Sequence, residues 1–294
     1  MMHSTSDQYF LSREKLSNNL QQIIDTERYY TQFLLDEIIL PVAEDIWSNF
    51  TLDPLKLLPF WRNYPPEQRG RGPIGTSVPW LELGEKTISS NIIKALGSKR
   101  DNITFPGLPT GGDIRFADKQ VYIHLDVKLT GPNDNANEVV VPPNQVSGDG
   151  INWNDGVLNS TWPVRRVKSG EINYHFQPKL PPIYILDDNT LICLTYFFDA
   201  IYDVTGFGNH PIKYFELVCV PNGLLMFDGP KLANTPNLII AGKDDKTTPD
   251  DAKRIRIRLE PLSKINNWRA TKIKKTENGW IALHRNDNPE LFSS

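Results

Sequence analysis

Between Val121 and Leu129 the chain alternates strictly. Val121, Ile123, Leu125, Val127 and Leu129 are apolar, while Tyr122, His124, Asp126 and Lys128 carry polar groups. A period of two puts each set on its own face of a β-strand, with the apolar face in a core. Asp126 and Lys128 therefore point the same way, two residues apart. Asp113, at the end of the preceding segment, can bring a second carboxylate to the same point. Hard oxygen donors of this kind suit Mg²⁺, which keeps several waters and reaches phosphate oxygens. A neighbouring ammonium orients a water and offsets charge growing on a phosphate. A solvated strand face that happens to carry an Asp-x-Lys pair is the plainer alternative.

At 294 residues the chain can bury a substantial core, as one large domain or two small ones. A net charge of −3 does not by itself single out a polyanionic partner. Cys193 and Cys219 stand in apolar runs and read as small buried hydrophobes in a reducing cytoplasm, with a disulfide as the alternative. No paired Cys/His spacing suggests zinc. The N-terminus has no apolar signal core, and no apolar run approaches membrane-spanning length. The expectation is a soluble cytoplasmic protein with no membrane association.

Residues 11–48 read as helical. Ser12 is a candidate cap, Leu16, Leu20, Ile23 and Ile24 form one stripe, and Tyr30, Phe33, Leu34, Ile38 and Ile39 form a second that runs to Pro41. These helices suit a scaffold or a dimer contact. Residues 54–79 are rich in Pro, Gly and aromatics, and Arg62, Arg69 and Arg71 there suit either a phosphate backbone or a solvated loop. An amphipathic helix fits 80–97, closed by Gly97, with Leu81, Ile88, Ile92 and Leu96 inside. After Leu129 a turn leads into a mostly irregular region reaching Pro182. Residues 183–203 and 214–228 are β-rich, with a tight turn at Asp188–Asn189. From Lys253 to Lys275 nine Lys/Arg face a single acid, Glu260. Arg254, Arg256 and Arg258 alternate with Ile255, Ile257 and Leu259, so three guanidinium groups share one strand face. That arrangement favours a polyanion over a merely solvated surface.

The motifs P-F-W-R-N-Y-P-P (59–66), V-P-W-L-E-L-G-E-K (78–86), G-L-P-T-G-G-D (107–113) and L-D-V-K (125–128) are followed in order by four more. These are P-N-Q-V-S-G (143–148), P-P-I-Y-I-L (181–186), V-P-N-G-L (220–224) and G-K-D-D-K (242–246). Together the set closely resembles the BglI-type restriction endonucleases over roughly residues 55–260. The resemblance implies an α/β fold: one domain over 1–294 with a mixed central β-sheet flanked by helices. Within it lie N-terminal helices (about 11–48), a catalytic core (about 80–130) and DNA-reading strands (about 240–260). It also implies a homodimer that cuts double-stranded DNA with Mg²⁺.

In that broad superfamily the catalytic signature is P-D, a gap, then D/E-x-K. Here Asp113, Asp126 and Lys128 match it, and Gly112 stands where the pattern has proline. The resemblance assigns metal binding to Asp113, Asp126 and the Val127 carbonyl, and places Glu85 at the edge of the same site. Asp134, Lys243, Asp245, Arg254 and Arg256 match positions that contact bases in the major groove. Lys and Arg pair with guanine, and Asp accepts from cytosine N4. The implied target is GCC, five unspecified pairs, then GGC. Two rivals remain: a structure-selective repair or recombination nuclease of the same superfamily, and a non-catalytic β-ribbon DNA binder.

Overall fold

The computed structural model describes residues 5–51, 80–99, 103–105, 113–152, 157–166, 169–186, 188–205, 210–242, 247–285 and 287. Arg62, Arg69, Arg71, Gly112, Lys243 and Asp245 lie outside them, as does the side chain of Leu81. Helices α1 (Thr5–Ser17) and α2 (Leu20–Phe33) come first. A π-helical turn at Leu34–Ile39 then leads into α3 (Leu40–Thr51), and α4 follows at Trp80–Lys99. No described helix is long and apolar enough to cross a membrane.

Two local expectations are corrected, at Ser12 and at Gly97. Ser12 lies inside α1, and its hydroxyl accepts from Thr190 Oγ1 at 2.8 Å. The helical stretch passes through Pro41, in keeping with the reading of 11–48. Proline lacks an N–H and its ring crowds the carbonyl four residues back. The backbone meets this by widening to a π turn, in which the Leu40 N–H reaches Leu35 O, and Pro41 enters the first turn of α3. Helix α4 runs through Gly97, beside which an added Cβ would find open space, and continues to Lys99.

The first strands are β1 (Ile114–Ala117), β2 (Val121–Thr130), β3 (Glu138–Val141), β4 (Trp162–Arg165), β5 (Ile172–Phe176) and β6 (Ile183–Leu186). They are followed by β7 (Asn189–Tyr202), β8 (Ile212–Val220), β9 (Ile239–Ala241), β10 (Ile255–Arg258), β11 (Ala270–Thr276) and β12 (Gly279–His284). The region expected to be irregular thus contains β3 and the β4–β5 hairpin. Their short runs carry no long alternation that would announce them. The β6–β7 turn falls where it was read, with Asp188 at φ 65°.

The large sheet has the order β1-β2-β7-β8-β11-β12, with β6 also on β7. The β2–β7 pair is parallel and the others are antiparallel, so the sheet is mixed and flanked by helices. A second, antiparallel sheet has the order β3-β10-β9. The helical stripes (Leu16, Ile23, Tyr30, Leu34, Ile38) share one core with Ile123, Leu125, Val127 and Phe198 on one face of the large sheet. On the other face Phe197, Val218 and Ala270 pack with Val139, Val141, Ile255 and Ile257 of the small sheet. Register places Lys128 beside Asp199, Asp199 beside Glu216, and Glu216 beside Lys272. This charged row crosses the same face as Phe197 and Val218.

Candidate active site

The β1–β2 ladder ends at Ile114↔Leu125. One step beyond it, Asp113 turns its carboxylate onto β2, where Oδ2 accepts from the Val127 N–H at 2.9 Å. Asp113 is therefore brought alongside Asp126 as the sequence suggested. Asp126 is buried and paired with the Lys128 ammonium. Gln145 bridges the two: its Nε2 donates to Asp126 Oδ1, and its Oε1 accepts from Lys128 Nζ at 3.3 Å. Nζ also lies 5.5 Å from the centre of the Phe197 ring.

Gln145 is held by a closely built corner. Pro143 O accepts from Lys179 N at 2.8 Å, and Ser147 Oγ accepts from Gly223 N at 2.9 Å. A Cβ on Gly223 would fall 1.7 Å from Gly148 O, so only glycine lets these two backbones cross. The motifs P-N-Q-V-S-G and V-P-N-G-L thus meet at one point, behind the Asp-x-Lys pair.

Glu85 arrives on α4. At Gly84 an added Cβ would stand 2.6 Å from Leu129 Cδ1, so the bare backbone allows the helix its close approach to β2. Burial, with Asp113 beside it, pushes the Glu85 carboxyl up to about 7. Burial likewise pushes Asp126 up to about 6, against the pull of Lys128. A divalent cation would relieve this crowding of carboxylates. Among the described residues no three His, Cys, Asp or Glu side chains form a metal cage. Mg²⁺ does not require one, since two carboxylates, a backbone carbonyl and waters suit it. The donor chemistry of Asp113, Asp126 and Val127 therefore fits such an ion.

On the small sheet, β10 lies between β3 and β9, with Ile255 and Ile257 buried and Arg256 and Arg258 half-buried. A cleft of about 280 Å³ is lined by Lys128, Asp134, Glu138, Asp199, Arg254 and Arg256. Three of the predicted base-reading residues and the predicted catalytic lysine thus share one cavity. A larger cleft, about 690 Å³, lies at the other end of β2 between α1 and α2. It gathers none of these groups, so the chemistry, and not the volume, locates the site.

The basic run divides. Arg269 is fully buried and paired with Glu27 at 2.7 Å, Lys272 is buried over the Tyr214 ring at 3.9 Å, and Lys275 pairs with Glu44 at 2.7 Å. Arg269 and Lys272 are taken up in packing and Lys275 in an exposed pair, so the charge count of the run overstates what is free to face a polyanion. Gln145, Glu138 and Asp199 were not singled out from the sequence. The available signals were the motif P-N-Q-V-S-G, which holds Gln145, and the lone Asp199 in the apolar run L-T-Y-F-F-D-A-I-Y.

The model of the restriction endonuclease BglI family matches residues 4–273. The type II restriction enzyme BglI of Bacillus subtilis is 34% identical over 296 residues, covering 87% of this chain and 96% of that protein. The chain belongs to the BglI restriction endonuclease family. It is a type II restriction enzyme that cleaves DNA. The crystal structure of BglI bound to its DNA recognition sequence superposes with a TM-score of 0.78 at 32% identity, over 91% of this chain and 95% of that one. Tetrameric SfiI bound to cognate DNA superposes with a TM-score of 0.64 at 11% identity, over 90% and 94%. That second likeness shows that the BglI-family fold extends to distant sequences.

Proposed function

We propose that the chain is a cytoplasmic, single-domain, homodimeric endonuclease that cuts double-stranded DNA at GCCNNNNNGGC in the presence of Mg²⁺. The observation that carries the reading is the meeting of Asp113 with Asp126 and Lys128 at β2, with Lys128 lining a cleft that Asp134, Arg254 and Arg256 also line. Asp113 and Asp126, with the Val127 carbonyl, would hold the ion. When bound, Mg²⁺ supplies Lewis-acid stabilisation of the phosphoryl and leaving 3′ oxygens. Lys128 holds the attacking water and offsets charge growing on the phosphate, oriented by Asp126 and Gln145. Glu85 stands at the edge of the same site. Asp134, Lys243, Asp245, Arg254 and Arg256 read bases, the cations on guanine and the carboxylates on cytosine N4.

An inverted half-site is met by two copies of one chain related by a two-fold axis, each bringing one active site and one reader. The test is digestion of plasmid DNA with and without Mg²⁺. Discrete fragments that appear only with the ion are expected. A smear of fragments, or binding without cleavage, would favour the structure-selective nuclease or the β-ribbon binder.

A further inference from the structure

Arg256 is gripped from both neighbouring strands. From β9 the Ala241 carbonyl accepts from its Nε at 2.9 Å, and from β3 the Glu138 carboxylate accepts from its Nη1 at 2.6 Å. Glu138 stands directly opposite Arg258 in the register, yet it reaches diagonally to Arg256, whose own partner is Val140. The Glu138 side chain is 7% exposed and that of Arg256 is 20% exposed, so this is no solvated surface pair. A carboxylate this buried is costly without its cation, which favours keeping the pair.

We propose that Glu138 is a positioning residue for base reading, holding the Arg256 guanidinium in one orientation before DNA arrives. The inference rests on Arg256 being a base contact. A guanidinium is a planar fork of five N–H donors, and two are committed to Glu138 and Ala241. Three remain for a base, which is enough for a bidentate contact to guanine. Because the fork is fixed at both ends, its freedom is lost on folding and not on binding, which sharpens the difference between a matched and a mismatched pair.

The experiment measures binding, without Mg²⁺, to the duplex that the wild-type chain cuts and to duplexes with single half-site pairs replaced. The readout is the ratio of the two dissociation constants. Glu138→Ala should lower that ratio about two- to tenfold at the pair read by Arg256, in line with the freeing of one immobilised side chain. Glu138→Gln, which keeps an acceptor, should recover part of it. In an Arg256→Ala background the Glu138 change should add nothing. A ratio that Arg256→Ala lowers and Glu138→Ala leaves intact would overturn the proposal. So would a Glu138→Ala protein that loses affinity equally for every duplex, as a merely structural role predicts. If Arg256→Ala itself leaves every ratio unchanged, Arg256 reads no base and the proposal falls with that reading.

Discussion

Strands β2 and β10 carry the same alternation, and each is flanked by a strand on both sides, but their polar faces meet opposite surroundings. On β2 the second face is covered as well, and Asp126 is 4% exposed. On β10 the isoleucines are buried while Arg256 and Arg258 are half-buried, and Arg256 lines the cleft that Lys128 also reaches. On the covered face the loss of water penalises the charged form, which pushes the Asp126 carboxyl up although Lys128 pulls it down. On β10 the half-buried guanidiniums keep part of their surface exposed. A period of two tells which residues share a face. What lies over that face decides how far its charges are removed from water.

Four experiments probe that contrast. The largest effect should come from the DNA. One added or deleted pair in the five-pair spacer turns a half-site by roughly 34–36°. Losing three base pairs of recognition at about 1–3 kcal/mol each should almost abolish cleavage. Equal cutting of four-, five- and six-pair spacers would mean that the readers are not held rigidly in a dimer. Next, Lys128→Ala should slow single-turnover cleavage by on the order of 10²–10³-fold while leaving specific binding intact. Normal cleavage by this variant would remove β2 as the catalytic strand.

Arg256→Ala should cost about 1–3 kcal/mol at the cognate site and little on unrelated DNA. A uniform loss across all sequences would make Arg256 a phosphate contact. The smallest effect concerns Asp199, whose carboxyl is pushed up to about 7 by burial, with Glu216 adding to it and the Thr130 hydroxyl and Lys128 opposing. A folded-state value above the ordinary one means that the folded protein binds the extra proton. Stability from this group is then greatest in acid and falls as pH rises from about 4 to about 7. Asp199→Asn keeps an acceptor for Thr130 and should raise Tm by about 2–4 °C at pH 8, with the gain shrinking at pH 5. A difference that does not change with pH would contradict it.

The helical stripes and the alternation of β2 were legible because their signals are local. Leu16, Ile23 and Ile38 recur at helical spacing, and Asp126 and Lys128 are two residues apart. What the sequence hides is long-range register. Asp199 reaches Lys128 only through the parallel β2–β7 pairing, and Gln145 reaches Asp126 only through the corner it shares with Gly223. Charge counting misled for the same reason. Arg269 is neutralised by Glu27, 242 positions away, so a basic run on paper is partly a buried ion pair in the fold. The π turn ahead of Pro41 likewise escapes a rule that treats proline as a stop.

On the proposed function, one chain joins a Mg²⁺-dependent cutting strand to a reading strand for an interrupted palindrome. Run-off sequencing of plasmid DNA digested by the wild-type protein with Mg²⁺ tests it most directly. The account predicts that every new end maps inside GCC, five unspecified pairs, GGC, at positions related by two-fold symmetry on the two strands. Ends scattered without a common sequence, or clustered at branches and mismatches, would contradict it.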